Sequence, residues 1–286
     1  MPAGRALFMA HHMPKTGTRF VRHNGRLALF HQRMEHRDYW RDYWTDAKLE
    51  RMRRHLSTGA LDDFGPVFTR YLPRRGLVLE AGCGAGFYVA GLLALGYLVT
   101  GIDYEPEVIR RLLDVEPDLP VEVGDITATR FFEEELSAYV SLGVIEHFED
   151  GCEAALDEMA RIVEPEGVAL VSVPYLNPAR ARLLDHVPSS DALPEELSFH
   201  QYYYSADELS AMLARVGFET VEIYPYDCEA FLTREHPFGR PAWHSALARD
   251  RVKRWLRSRL RSRSRAFRRR YGHMVMAVAR KRVEVD

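Results

Sequence analysis

Cysteine is scarce and poorly placed for structural work. The 286 residues include three, Cys83, Cys152 and Cys228, an odd number with no C-x-x-C pair, so neither a disulfide framework nor a zinc cluster is expected and a reducing cytoplasm fits best. No other set of His, Cys and acidic residues has metal-ligand spacing, and metal independence is expected. Eighteen apolar residues never run together, and the first twenty residues lack the apolar core and small-residue cleavage pattern of a secretory signal. No membrane span and no signal peptide are expected. Net charge is also nearly absent, −2 from 39 basic and 41 acidic residues. The balance hides one asymmetry, because Arg251 to Arg270 holds eleven Lys or Arg and no acid. Internal repeats are missing too, which excludes a solenoid.

What remains is 47% hydrophobic and 28% charged, ordinary globular usage in a chain long enough to bury the core of one large α/β domain. Residues 1–36 mix His, Arg, Gly and Met without a period and are expected to be a flexible leader. Residues 37–76 turn helical, with Tyr39, Trp40, Tyr43 and Trp44 on one face. From Leu77 onward short apolar runs alternate with amphipathic helices, the pattern of a parallel sheet wrapped on both faces. Strands are expected at 77–81, 97–103, 121–125, 138–143, 167–173, 218–226 and 273–280. A helix near 152–163 has Asp150 as expected N-cap, and another follows the capping box Ser205 and Glu208 and stops at Gly217. The core is therefore expected over 77–233 and 271–286, interrupted by a basic helical insertion at 234–270.

Between the first strand and its helix lies Glu80-Ala81-Gly82-Cys83-Gly84-Ala85-Gly86. Glycines there let the backbone turn sharply and approach a ligand that any Cβ would strike. Asp103 closes the second strand, where a carboxylate can accept from both hydroxyls of a ribose. Nicotinamide enzymes use the same two devices, but their G-x-G-x-x-G fingerprint needs glycine at position 87, where this chain has Phe. Asp125, after the third strand, either caps the next segment or accepts from an adenine amino group.

Taken in order, E-A-G-C-G-A-G, G-I-D-Y, V-G-D-I and S-L-G-V-I-E-H-F resemble the successive motifs of class I S-adenosylmethionine-dependent methyltransferases. The resemblance runs from about Leu77 to Asp227. It implies a Rossmann-like sheet of seven strands, six parallel and the last antiparallel, and S-adenosylmethionine as cofactor. It further implies that Glu80, Gly82, Gly84 and Gly86 face the methionine moiety, that Asp103 with neighbouring Tyr104 takes the ribose, that Asp125 and Ile126 meet the adenine, and that Leu142 and Gly143 border the methionine end.

Methyl transfer from a sulfonium is an in-line displacement, so the protein mainly aligns the acceptor and excludes water. A hydroxyl acceptor also needs a base. His147, beyond the fourth strand, either serves as that base or holds its loop, with Glu146 orienting it or acting alone. Tyr175, His200, Tyr202 and Tyr203 are expected on loops or a short lid over the cleft, as substrate contacts. The acceptor is expected to be a small or lipid-linked molecule. The basic segment 251–270 reads as an amphipathic helix suited to an anionic membrane or phosphorylated substrate, with nucleic acid ranked lower. Oxidoreductase and non-catalytic cofactor-binding scaffold are the alternative functions.

Overall fold

The computed structural model describes residues 18–32, 46–193, 195–234 and 264–283. The strands are β1 (Thr18–His23), β2 (Arg26–Gln32), β3 (Leu77–Ala81), β4 (Val99–Asp103), β5 (Val121–Val123), β6 (Leu136–Leu142), β7 (Val163–Pro174), β8 (Leu197–Tyr202), β9 (Phe218–Tyr226) and β10 (Met274–Lys281). The helices are α1 (Asp46–Thr58), α2 (Gly65–Tyr71), α3 (Phe87–Ala94), α4 (Pro106–Val115), α5 (Glu153–Ile162), α6 (Pro178–Ala181), α7 (Ala206–Arg215), α8 (Cys228–Arg234) and α9 (Arg265–Tyr271).

Seven strands form one sheet in the order β5-β4-β3-β6-β7-β10-β9. β3 pairs parallel with β4 and β6, and β10 runs antiparallel to β7 on one side and β9 on the other. Successive side chains of a strand point to opposite faces, and β3 feeds both: Val78 enters the core under α1 and α3, Leu79 the core under α5 and α7. This is the doubly wound α/β architecture expected from the alternating apolar runs.

Local signals explain the helix ends. Ser205 Oγ accepts from Glu208 N at 3.1 Å while a Glu208 carboxylate oxygen accepts from Ser205 N at 2.8 Å, a complete capping box that starts α7. Gly217 follows its last turn at φ 87°, in the left-handed region that glycine tolerates. The cap expected at Asp150 is not used. α5 starts after Cys152 without a side-chain cap, because Gly151 at φ 109° redirects the chain between Asp150 and the helix.

Two expectations are corrected. Residues 18–32, placed in a flexible leader, form the hairpin β1–β2 with a turn at Asn24-Gly25, both at positive φ. Its alternation was obscured by histidines and arginines, yet Val21, Leu27, Ala28 and Phe30 are buried. His200 and Tyr202, expected on a loop or lid, belong to strand β8, which pairs antiparallel with β2 to make a separate three-stranded sheet β1-β2-β8. The remaining leader, the aromatic face Tyr39 to Trp44 and the basic segment up to residue 263 lie outside the described residues. From Ser264 that segment is helical, as α9. Among the described residues no helix is long and apolar enough to cross a membrane.

Candidate functional site

The carboxyl ends of β3, β4, β5 and β6 open on one cavity of about 560 Å³, inside the usual range for small-molecule sites. Its first wall is the turn after β3. Gly82, Gly84 and Gly86 all have positive φ, at 78°, 50° and 66°. A Cβ on Gly82 would come within 2.5 Å of Val144 Cγ2, so side chains are excluded there by packing as well as by dihedral angle. Because Gly86 begins α3 without a side chain, the helix has no local cap. Glu80 reaches across from β3 instead, its Oε2 accepting from Val89 N at 2.9 Å.

Asp103, at the end of β4, fixes the same turn. One carboxylate oxygen accepts from Gly84 N at 2.9 Å and the other from Glu105 N at 3.0 Å. Each oxygen keeps a further lone pair for a ligand donor. Asp125, after β5, accepts from Thr127 N at 2.8 Å and Thr127 Oγ1 at 2.7 Å, both through Oδ1. It therefore caps the next turn and also lines the cavity. Buried Ile126 and exposed Tyr104 line the cavity with it.

Burial raises the carboxyls. Desolvation pushes Glu80 up to about 8, partly offset by the Val89 N–H, with Asp103 adding like-charge repulsion. Desolvation, opposed by a backbone N–H, pushes Glu146 up to about 8, and desolvation also holds Asp103 above the usual carboxylate range. Cys83, deep in the glycine turn, has its thiol pushed up by burial and the two neighbouring carboxyls, which fits a packing role and not an activated thiolate.

These shifts predict a pH dependence. Between about pH 4.5 and 8 the native state keeps protons on Glu80 and Glu146 that the unfolded chain has released. Stability of the ligand-free protein should therefore fall as pH rises through that window and level off above it. The ion-paired carboxyls Asp62 and Glu158, which are held low, titrate beneath the window. Thermal unfolding from pH 5 to 9 should show a shallower slope for Glu80→Gln than for the native sequence. Parallel slopes would mean that Glu80 is already ionised at neutral pH.

His147 enters the cavity from the turn after β6. Its Nδ1 lies 2.6 Å from the carbonyl oxygen of His200. A carbonyl only accepts, so Nδ1 carries a proton, and in the neutral ring the lone pair is then on Nε2. Glu146 Oε1 is 3.9 Å from Nε2, while Glu146 Oε2 is buried without a hydrogen-bond partner among the described residues.

The cavity brings together Glu80, Gly82, Asp103, Tyr104, Asp125, Ile126, Leu142, Gly143 and His147. Gly84, Gly86 and Glu146 are not among the lining residues, although Gly84 N donates to Asp103 and Glu146 adjoins His147. The substrate contacts expected at Tyr175, His200, Tyr202 and Tyr203 are not among the lining residues. Tyr202 donates to the Glu149 carbonyl at 2.9 Å. Tyr203, pointing to the opposite face, packs with Leu27 and Leu183 and under the Arg180 guanidinium. Tyr175 forms a bridge with Tyr204. Backbone pairing accounts for all three: Tyr202 ends β8, Tyr203 N donates to the Leu27 carbonyl at 3.0 Å, and Tyr175 is bridged to Tyr204, so Tyr202 and Tyr203 enter different cores. Sequence reasoning missed Phe87, Tyr88, Val144 and Phe148 as lining residues. The legible signal was position, since the first pair opens the helix after the glycine turn and the second pair flanks Ile145 to His147.

The groups present fit S-adenosylmethionine. Two buried carboxyls, raised for want of a positive partner, face a ligand that carries an ammonium and a sulfonium, and Asp103 keeps acceptor capacity for two hydroxyls.

Comparison with known proteins agrees. Residues 49–223 match the methyltransferase domain family. A "probable S-adenosylmethionine-dependent methyltransferase" of Mycolicibacterium smegmatis is 31% identical over 146 residues, 50% of this chain and 51% of that protein. The tRNA (carboxymethyluridine(34)-5-O)-methyltransferase of Arabidopsis thaliana is 32% identical over 109 residues, 37% of this chain and 26% of that one. Among solved structures, the complex of the Haloferax volcanii Trm112 methyltransferase activator with a methyltransferase superposes at a TM-score of 0.57 and 19% identity, covering 88% of this chain and 100% of that chain. At that identity the likeness shows the fold. The chain spans about half the length of the curated mycobacterial relatives it matches. With motifs, sheet order and family match coinciding on the same residues, the chain belongs to the class I S-adenosylmethionine-dependent methyltransferases.

Proposed function

We propose that this protein transfers a methyl group from S-adenosylmethionine to an oxygen or nitrogen of a small or lipid-linked acceptor, with His147 as general base when the acceptor is a hydroxyl. The observation that carries the reading is the placement of His147: a ring that lines the cofactor cavity with its Nδ1 held 2.6 Å from a backbone carbonyl, which turns Nε2 to the acceptor's proton in the neutral ring. When bound, the cofactor supplies an electrophilic methyl on sulfur. Asp103 orients the ribose, Asp125 and Ile126 take the adenine, and Glu80, Gly82, Leu142 and Gly143 hold the methionine end. With a hydroxyl acceptor, His147 Nε2 would take the proton that the acceptor oxygen gives up on accepting the methyl group, which bound S-adenosylmethionine would supply. Phe87, Val144 and Phe148 keep water from that end of the cavity.

A second reading, transfer to RNA, is favoured by the tRNA methyltransferase among the relatives and by the exposed Arg265, Arg269 and Arg270 of α9. One experiment separates them. Incubating the protein with methyl-labelled S-adenosylmethionine and, in parallel, a small-molecule and lipid extract or total tRNA should place label in the first. Label confined to tRNA would replace the first reading with the second. S-adenosylhomocysteine binding with no label transferred in either would make the chain a cofactor-binding scaffold.

A further inference from the structure

The register of the three-stranded sheet breaks at one point. Leu29 pairs with Gln201 and Phe30 with Phe199, so His200 is the extra residue of a β-bulge on β8. A bulge takes a residue out of the strand's alternation and re-aims both its side chain and its peptide. Here the peptide carbonyl of His200 is delivered to His147 Nδ1 at 2.6 Å, and the His200 ring, nearly buried at 8% exposure, lies 4.9 Å from the His147 ring. On its other side, His31 Nε2 from β2 stands 3.1 Å from His200 Nδ1, with ring centroids 4.6 Å apart. Three imidazoles thus run in file from the hairpin to the cofactor cavity.

We propose that His31 is a positioning residue for His147. The inference rests on the reading of His147 as base. The His31–His200 hydrogen bond needs one ring to donate and the other to accept, which fixes the orientation of the His200 ring. A ring fixed on a bulged residue restrains the φ and ψ of that residue, and with them the direction of its carbonyl. The carbonyl in turn holds the proton on His147 Nδ1 and keeps Nε2 basic. The hairpin, distant in sequence from every cofactor motif, thereby sets the protonation geometry of the reacting end of the site. Without His31 the bulge peptide gains freedom and His147 populates its other tautomer, in which Nε2 bears the proton and cannot take one from an acceptor.

The test uses the full chain, uniformly labelled at histidine nitrogen and saturated with S-adenosylhomocysteine. Long-range proton–nitrogen spectra report the tautomer of each ring, and His147→Gln identifies the His147 signals. The native protein and His31→Gln, whose side-chain amide can still hydrogen-bond His200, should show His147 protonated at Nδ1. His31→Ala should show mixed tautomers and about a tenfold lower kcat, with KM and S-adenosylhomocysteine affinity unchanged. Should the alanine variant fold poorly, His31→Phe fills the same space without a ring nitrogen and carries the same expectation. An unaltered His147 tautomer in the alanine or phenylalanine variant overturns the proposal, and so does a kcat loss that His31→Gln does not restore. If His147→Gln itself keeps the native rate, the base reading fails, while the tautomer spectra still decide whether His31 positions the ring.

Discussion

His147→Ala is expected to lower kcat toward a hydroxyl acceptor by about a hundredfold or more, the scale of a lost general base, while S-adenosylhomocysteine binds as before. The separation follows from the geometry. His147 borders the cavity, but the groups assigned to the ribose, the adenine and the methionine end lie at or beyond the ends of β3, β4 and β5, and their carboxylates accept from Val89, Gly84, Glu105 and Thr127. Calorimetric titration of the variant and single-turnover kinetics would measure the two quantities independently. A rate within a few fold of native would show that the acceptor needs no base, as for a neutral amine whose lone pair is already available, and would leave His147 as a loop anchor through the His200 carbonyl.

The next largest effect is expected at Asp103. Removing hydrogen bonds to a charged acceptor costs about 1–3 kcal/mol, so Asp103→Ala should weaken S-adenosylhomocysteine binding by roughly 5- to 150-fold. Two contributions combine, because the same carboxylate accepts from Gly84 N and Glu105 N. Its loss leaves two backbone donors unsatisfied and loosens the glycine turn. Asp103→Asn tells the two apart: the amide keeps one accepting oxygen for the backbone but turns an N–H₂ toward the second donor. If ribose contact dominates, Asn and Ala variants should lose comparable affinity for S-adenosylhomocysteine, while the unfolding midpoint drops more for Ala. Native affinity in a folded alanine variant would remove Asp103 from the ribose.

The sheet and the cofactor wall were legible because both are local. β3 and β9 have the expected ends and β4 the expected carboxyl end, the glycine turn announces itself by composition, and Asp103 sits where its strand stops. Harder to see was anything that depends on pairing at long range. β1, β2 and β8 intersperse His, Arg, Ser and Gln with apolar residues that feed two different cores, and the sheet depends on residues 26–32 and 197–202 finding each other. Periodicity could not supply that partner, so the hairpin read as loose chain and the tyrosines of β8 read as a lid. Asp125 was ambiguous for a different reason, since the turn-capping geometry and an open ligand face coexist on one carboxylate. Glu146 was legible as a carboxyl beside His147 but not as a buried one, because burial is a property of the packed sheet.

The position of β10 has a consequence for how the chain assembles. It lies between β7 and β9, though both precede it in sequence. Until residues 274–281 are synthesised, β7 keeps an open hydrogen-bonding edge and β9 has no place to dock, because each pairs in this sheet with β10. Val275, Ala277 and Val278 close the gap by inserting fully buried side chains on both faces. On the ribosome, then, the nascent domain passes through a stage with two sticky edges exposed, the condition under which strand-rich intermediates associate with one another. Completion of the sheet therefore awaits a long-range pairing, whereas β3 to β6, whose ends line the cofactor cavity, pair with one another within residues 77–142.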